Sequence, residues 1–318
     1  MRGAEVRHDI NGENQGMTTR AVGPGKGWDW LMRAANLGSQ NAKALFGAAA
    51  LLMLIALVPT IVQLALQKTM GESPAMVGVT MAFTLLYSII AMPPAIAGLL
   101  RVIHAVETGV PTQASAIFDG YRNGAGRMIA LSIVLMVLAI LVLGGLLALF
   151  GGHFLQGLEE FVVAAQAASA TPGKPQLPPL PDGFGTLIGL MLIFGLFFNG
   201  VYALSFGQAA LGSRGVGEAL RDGIAGTFKN LLPLLVLLVV VLVAGVVATI
   251  VVVLVMGLLA VIGGLVHPAL AVLLVTPVYL ALLVAIYVVA FGVMYYMWRD
   301  ICGDAASMPA SPTDQLQA

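Results

Sequence analysis

The sequence predicts an all-α polytopic integral membrane protein with six transmembrane helices, arranged as three repeats of interfacial helix plus transmembrane hairpin. Three observations carry that class. Hydrophobic residues are 59% of the 318 and charged residues only 9%, where soluble domains run at about 45–50% and about 25%. Five stretches, 44–67, 73–100, 128–158, 183–213 and 230–298, contain no Asp, Glu, Lys or Arg. Lys and Arg divide thirteen to two between alternate connecting segments. The same composition argues against disorder, and a net charge of zero argues against a nucleic-acid binder.

Residues 1–26 read as a disordered polar tail, without an apolar run after Arg2 and Arg7 that would make a signal peptide. Residues 27–303 form the membrane domain. A crossing needs roughly 20 apolar residues, so each of the first four charge-free stretches holds one helix. The fifth is 69 residues long and holds two, divided by the turn cluster Gly263, Gly264, His267 and Pro268. The expected spans are 44–66, 76–100, 128–150, 184–208, 231–260 and 270–297. The connection 151–183 is the one sizeable loop on its side. It reads as a short surface helix with Phe154, Leu155, Leu158, Phe161, Val162 and Ala165 on one face, then a stiff spacer with five prolines from Pro172 to Pro181. Residues 304–318 read as a second disordered tail.

Cationic loops stay on the cytoplasmic side, so both termini are expected to be cytoplasmic in a bacterial inner membrane. Cys302 then lies on the reducing side, where a free thiol is ordinary.

A charged segment precedes each hairpin: Gly27 to Lys43, Gly109 to Arg127, and Gly215 to Asn230. The second and third align through Gly109-Val110 with Gly215-Val216 and Asp119-Gly120 with Asp222-Gly223, given one three-residue gap. In the third, Val216, Leu220, Ile224 and Phe228 recur at spacing four, against Glu218, Arg221, Asp222 and Lys229. That spacing predicts an interfacial helix with its apolar side at headgroup level and its charges wet. Trp28 and Trp30, with Tyr295, Tyr296 and Trp298, fit an aromatic belt.

The even-numbered spans are expected to carry breaks, at Pro93-Pro94, Asn199-Gly200 and Pro277, and Pro59 falls in the first span. Membrane helices tolerate proline where neighbours re-satisfy the freed carbonyls.

No charge falls within an expected span, which argues against a proton- or ion-coupled machine. H-E-x-x-H, G-x-S-x-G, a P-loop and a dinucleotide fingerprint are absent from the sequence. No catalytic, cofactor-binding or metal-binding residue is therefore assigned, and the chain is expected not to be an enzyme. His104 is expected to contact Glu107 on its own helix surface. Arg122, Arg127, Arg214, Arg221 and Lys229 are candidate contacts for anionic lipid headgroups. Asn199, Tyr202 and Ser205 share a helix face as a candidate intramembrane polar seam. Thr60 and Gln63 in the first span and Thr84, Tyr87 and Ser88 in the second are further intramembrane polar residues.

The Gly27-Trp-x-Trp30 start, the run Glu218-Ala-Leu-Arg-Asp222 leading to Asn230-Leu-Leu-Pro-Leu, and the closing Tyr295-Tyr-Met-Trp-Arg-Asp-Ile301 resemble a poorly characterised family of proteobacterial six-helix inner-membrane proteins. The resemblance covers roughly 27–303 and implies topology and location, with no active-site residues. The expected function is a non-enzymatic organiser of lipid or of a membrane protein partner. The alternative is an uncoupled carrier or channel for a neutral or lipid-like solute.

Overall fold

The structure is a computed structural model that describes residues 19–39, 41–71, 73–152, 157–164, 180 and 183–303. The described residues are helical, with no strand. The first hairpin follows α1 (Lys26–Ala35) and consists of α2 (Ala42–Met70), α3 (Pro74–Ile90) and α4 (Met92–Glu107). A 3-10 segment, Ala114–Phe118, runs into the short α5 (Asp119–Arg122) and on to α6 (Ala125–Phe150). After α7 (157–164) come α8 (Phe184–Ala210), α9 (Val216–Lys229), α10 (Leu231–Val266) and α11 (Pro268–Ile301). Six helical units among the described residues are long and apolar enough to cross a membrane: α2, α3 with α4, α6, α8, α10 and α11. That is the make-up of a multi-pass membrane protein.

Local chemistry sets the helix starts. The Asn41 side chain accepts the Ala44 N–H at 3.1 Å to cap α2, and Ser73 Oγ accepts the Met76 N–H at 3.2 Å to cap α3. His267 Nδ1 accepts the Ala269 N–H at 3.1 Å to cap α11. Pro74 and Pro268 stand in the first turn, where a missing N–H costs nothing.

Packing is concentrated at the end that carries both described termini, here the termini end; the other is the hairpin end. Leu45, Ala48, Ala49 and Leu52 are buried in the first half of α2, and the termini-end segments of α4, α8 and α11 are buried with them. Towards the hairpin end the apolar side chains of α6 and α10 turn outward, as lipid-facing helices do. The element before each hairpin rests on a different hairpin. The 3-10 segment and α5 pack on α4 and α2, α9 packs mainly on α8, and α1 packs on α11 and α10. The helices α4, α8 and α11 touch one another pairwise.

Several expectations are corrected. Residues 19–25, placed in the disordered tail, are docked: Arg20 N–H donates to the Ile301 carbonyl at 2.8 Å and Val22 N–H to Asn230 Oδ1 at 2.7 Å. Backbone polar groups there find partners that a composition argument does not see. The tail residues 1–18 and 304–318, the five prolines from Pro172 to Pro181, and Phe154, Leu155 and Ala165 of the expected surface helix lie outside the described residues. Of the three expected breaks, the helix is interrupted at Ala91, beside Pro93-Pro94, while α8 is continuous through Asn199-Gly200 and α11 through Pro277, which leaves room for a kink there but not for a discontinuous helix. Glycine keeps its N–H and costs a helix only about 1 kcal/mol, whereas two consecutive prolines remove two donors. The turn between α10 and α11 is His267 alone, since α10 continues through Gly263 and Gly264.

Candidate functional site

The termini end is joined by side chains that sequence places far apart. Asp300 on α11, with its side chain 5% exposed, accepts from Arg33 of α1 at 2.5 Å and from Trp30 Nε1 at 3.0 Å, with Lys26 Nζ at 3.5 Å. The Arg33 guanidinium lies over the Tyr296 ring, 4.5 Å from its centroid, and Arg299 covers the same ring at 4.8 Å. Arg299 pairs with Glu107 of α4 at 3.1 Å, and His104 meets the Tyr295 hydroxyl at 3.2 Å. The expected His104–Glu107 contact is thus replaced by two contacts to α11.

Equivalent links join the other elements. Arg101 of α4 donates to the carbonyls of Asp119 at 3.0 Å, Asn123 at 2.9 Å and Ala210 at 3.3 Å. The last two carbonyls stand at or just beyond helix C-termini, where a cation is favoured. Gln208 of α8 donates to Asp222 of α9 at 2.5 Å and accepts from Trp298 Nε1 at 3.2 Å. Asp222 is therefore buried and not wet as expected. Glycines make this possible. A Cβ at Gly223 would run into Ser205, and one at Gly120 into the Pro94 carbonyl. At these two positions the elements approach closely; beside Gly223 the Asp222 side chain is drawn in, whereas beside Gly120 the Asp119 side chain stays half-exposed and pairs with Arg122.

The candidate lipid contacts are in three situations. Arg122 pairs with Asp119 at 3.5 Å in an exposed setting. Arg214 is engaged by Asp222 at 3.9 Å, and Lys229 donates to Thr19 Oγ1 at 2.9 Å and to its carbonyl at 3.0 Å. Arg127 and Arg221 have no ion pair or hydrogen bond among the described residues, and neither has Lys43. Exposed aromatics stand on the same termini-end elements: Trp28 (53% exposed) on α1, Phe118 and Tyr121 around α5, and Phe228 (61% exposed) on α9.

The candidate polar seam is spread over different environments. Asn199 is exposed and donates to the Gly195 carbonyl of its own helix at 2.7 Å. Tyr202 is half-buried and stacks on Phe206, with centroids 4.4 Å apart. Ser205 is fully buried against Gly223, and its hydroxyl has no partner among the described residues.

A different polar cluster is drawn together. A cleft of about 780 Å³ opens between the hairpin-end half of α2 and most of the length of α3. Gln63 and Gln67 line it from α2, and Thr80, Thr84 and Ser88 from α3. Most of these residues are visible in sequence as intramembrane polar side chains, but their convergence depends on how α3 lies against α2. At the deep end Tyr87 donates its hydroxyl to the Ile55 carbonyl at 2.7 Å. No group of three or more metal-ligating side chains occurs among the described residues. No family model, curated protein or solved structure matches the chain.

Proposed function

We propose that the chain is a non-enzymatic organiser of anionic lipid, set in a bacterial inner membrane with both termini cytoplasmic and built as three repeats of interfacial helix plus hairpin. The observation that carries the lipid reading is the state of the termini-end cations. Most are held within the fold by carboxylates, carbonyls or a hydroxyl, yet Arg127 and Arg221, like Lys43, have no partner among the described residues, at an end that also presents Trp28, Phe118, Tyr121 and Phe228. Aromatic rings and cations at one level are what a headgroup layer accommodates. The thirteen-to-two division of Lys and Arg supports the orientation.

The repeat reading is supported by like contacts at aligned positions. At both Asp119-Gly120 and Asp222-Gly223 a polar side chain of the preceding hairpin bonds the aspartate residue, Arg101 at the Asp119 carbonyl and Gln208 at the Asp222 carboxylate, and the glycine lies against that hairpin's backbone or side chains. A carrier is less well supported. The termini-end half is filled by Leu45, Leu52, Leu99, Leu100, Ile103 and Phe206, all fully buried, and a solute path would have to cross that layer.

The test is lipid retention. Wild-type protein purified in mild detergent should keep anionic phospholipid, and Arg127→Glu with Arg221→Glu should reduce it several-fold. Equal anionic lipid content in a folded double variant would overturn the reading. Reversal of Lys229 should act more weakly on lipid, because Thr19 already holds that ammonium.

A further inference from the structure

The cleft between α2 and α3 is unlike the rest of the hairpin-end surface. Elsewhere that surface is mainly apolar, with polar side chains such as Thr249 and Thr276 standing singly. In the cleft Gln63, Gln67, Thr84 and Ser88 have no hydrogen-bond partner among the described residues. Thr80 alone makes a contact, a weak one from its hydroxyl to Met76 Sδ at 3.5 Å. Helical Ser and Thr commonly satisfy themselves on the carbonyl four residues back, as Thr227 and Thr108 do in this chain. Thr84 and Ser88 do not. Amides and hydroxyls left bare at membrane depth are costly unless something bonds to them.

Three features specify the occupant. Among the described residues no Asp, Glu, Lys or Arg lines the cleft, so a net charge finds no counter-charge there. Amides and hydroxyls each donate and accept, which suits a headgroup that does both. The lining runs from Met76 to Ser88 along α3, twelve residues or roughly 18 Å at about 1.5 Å each, comparable to one leaflet of a hydrocarbon core about 30 Å thick. Beside it, exposed Met81 (68%) and Leu85 on α3 and Ile61 and Leu64 on α2 give acyl chains an apolar surface. A volume of about 780 Å³ lies within the usual range of ligand sites, roughly 300–1,000 Å³.

We infer that this cleft binds a lipid whose headgroup carries no net charge and both donates and accepts hydrogen bonds, drawn from the leaflet at the hairpin end. The site goes beyond the termini-face reading and shares no residue with it.

The test uses full-length protein in vesicles of phosphatidylcholine with a trace of phosphatidylethanolamine bearing a photoreactive headgroup. Without anionic lipid present, the outcome does not depend on the termini face. Labelling is expected to concentrate in residues 60–90 and to fall at least fivefold in Gln63→Leu with Thr84→Val. Unchanged labelling in that variant, folded by its circular dichroism, would overturn the inference. A measurement on wild-type protein needs no variant. Excess unlabelled phosphatidylethanolamine should compete and excess phosphatidylglycerol should not; equal competition by both would overturn the inference. So would disulfide crosslinking of two copies through Met81→Cys, which would show a second chain covering the cleft.

Discussion

The hydroxyl of Tyr87 donates to the carbonyl oxygen of Ile55 at 2.7 Å. Ile55 lies four residues before Pro59, so in a regular helix its carbonyl would receive the N–H that proline lacks. One side chain of α3 therefore repairs the backbone defect of α2 and fixes the two helices relative to each other at the deep end of the cleft. Tyr121 makes a similar contact to the carbonyl of Ala91, at 2.7 Å, where α3 gives way to α4.

The repair is testable as a cycle. Tyr87→Phe should lower stability by about 0.6–1.5 kcal/mol, the range for a membrane hydrogen bond and for a soluble one. In a Pro59→Ala background the helical N–H returns, and the same substitution should then cost much less. Thermal unfolding in detergent reads both. An equal cost in the two backgrounds would show that Tyr87 does not act through Ile55.

Asp300 is the hub of the termini end, since Arg33, Trp30 and Lys26 all converge on it. Its removal leaves the partly buried Arg33 guanidinium with only the more exposed Asp29 carboxylate at 3.3 Å and the buried Trp30 N–H without an acceptor, a loss of about 2–4 kcal/mol, below the roughly 3–5 kcal/mol of a fully broken buried pair. Asp300→Ala should reduce the yield of folded protein sharply. Trp30→Phe, which removes one donor and keeps the ring packing, should cost only about 1 kcal/mol. Chemical-denaturant unfolding should rank them in that order, and the reverse ranking would refute the hub.

Close helix approach sets the third prediction. A Cβ on Gly98 would collide with the Ile117 carbonyl, whereas one on Gly126 would meet nothing. Gly98→Ala should destabilise by about 1–3 kcal/mol or more, as overpacking does. Gly126→Ala should be neutral or slightly stabilising through helix propensity. Comparable melting temperatures for the two variants would mean that α4 and the 3-10 segment do not touch.

Cys302 provides a chemical readout of the docked amino-terminal segment 19–25. Burial pushes its thiol from an ordinary 9.0 up to about 12, partly offset by Arg20 and Lys229. The thiol should resist maleimide at pH 8 and react on unfolding. An acid whose proton is held more tightly in the fold contributes fully below its unfolded value, so stability should decline as pH rises from about 9 towards 12. Arg20→Ala, which frees the carbonyls of Arg299 and Gly303 from their donor, should expose the thiol and speed labelling. Rapid labelling of the native wild-type protein would contradict the docking.

What could be read from the sequence depended on locality. Six spans were legible because a charge-free run of sufficient length is a local property, and Pro93-Pro94 marked an interruption because two donors vanish at one place. The helix pattern around Asp222 implies a solvated carboxylate because it names only its own neighbours. Its burial follows from Gly223 and Gln208, one beside it and one on another helix. Thr19 to Val22 were read as tail because their order comes from Ile301 and Asn230, more than two hundred residues away. Sequence alone makes Arg127, Arg221 and Lys229 equal candidates for lipid contact, and only the fold separates the two without partners among the described residues from the one Thr19 engages.

The claim that the termini face gathers anionic lipid is tested most directly by titrating delipidated protein with phosphatidylglycerol and following its melting temperature. A ligand that binds the folded state alone raises that temperature with concentration. Phosphatidylglycerol should raise it well above an equal amount of phosphatidylcholine, and Arg127→Glu with Arg221→Glu should abolish the difference. Equal shifts from both lipids, or a difference that persists in the double variant, would contradict the account.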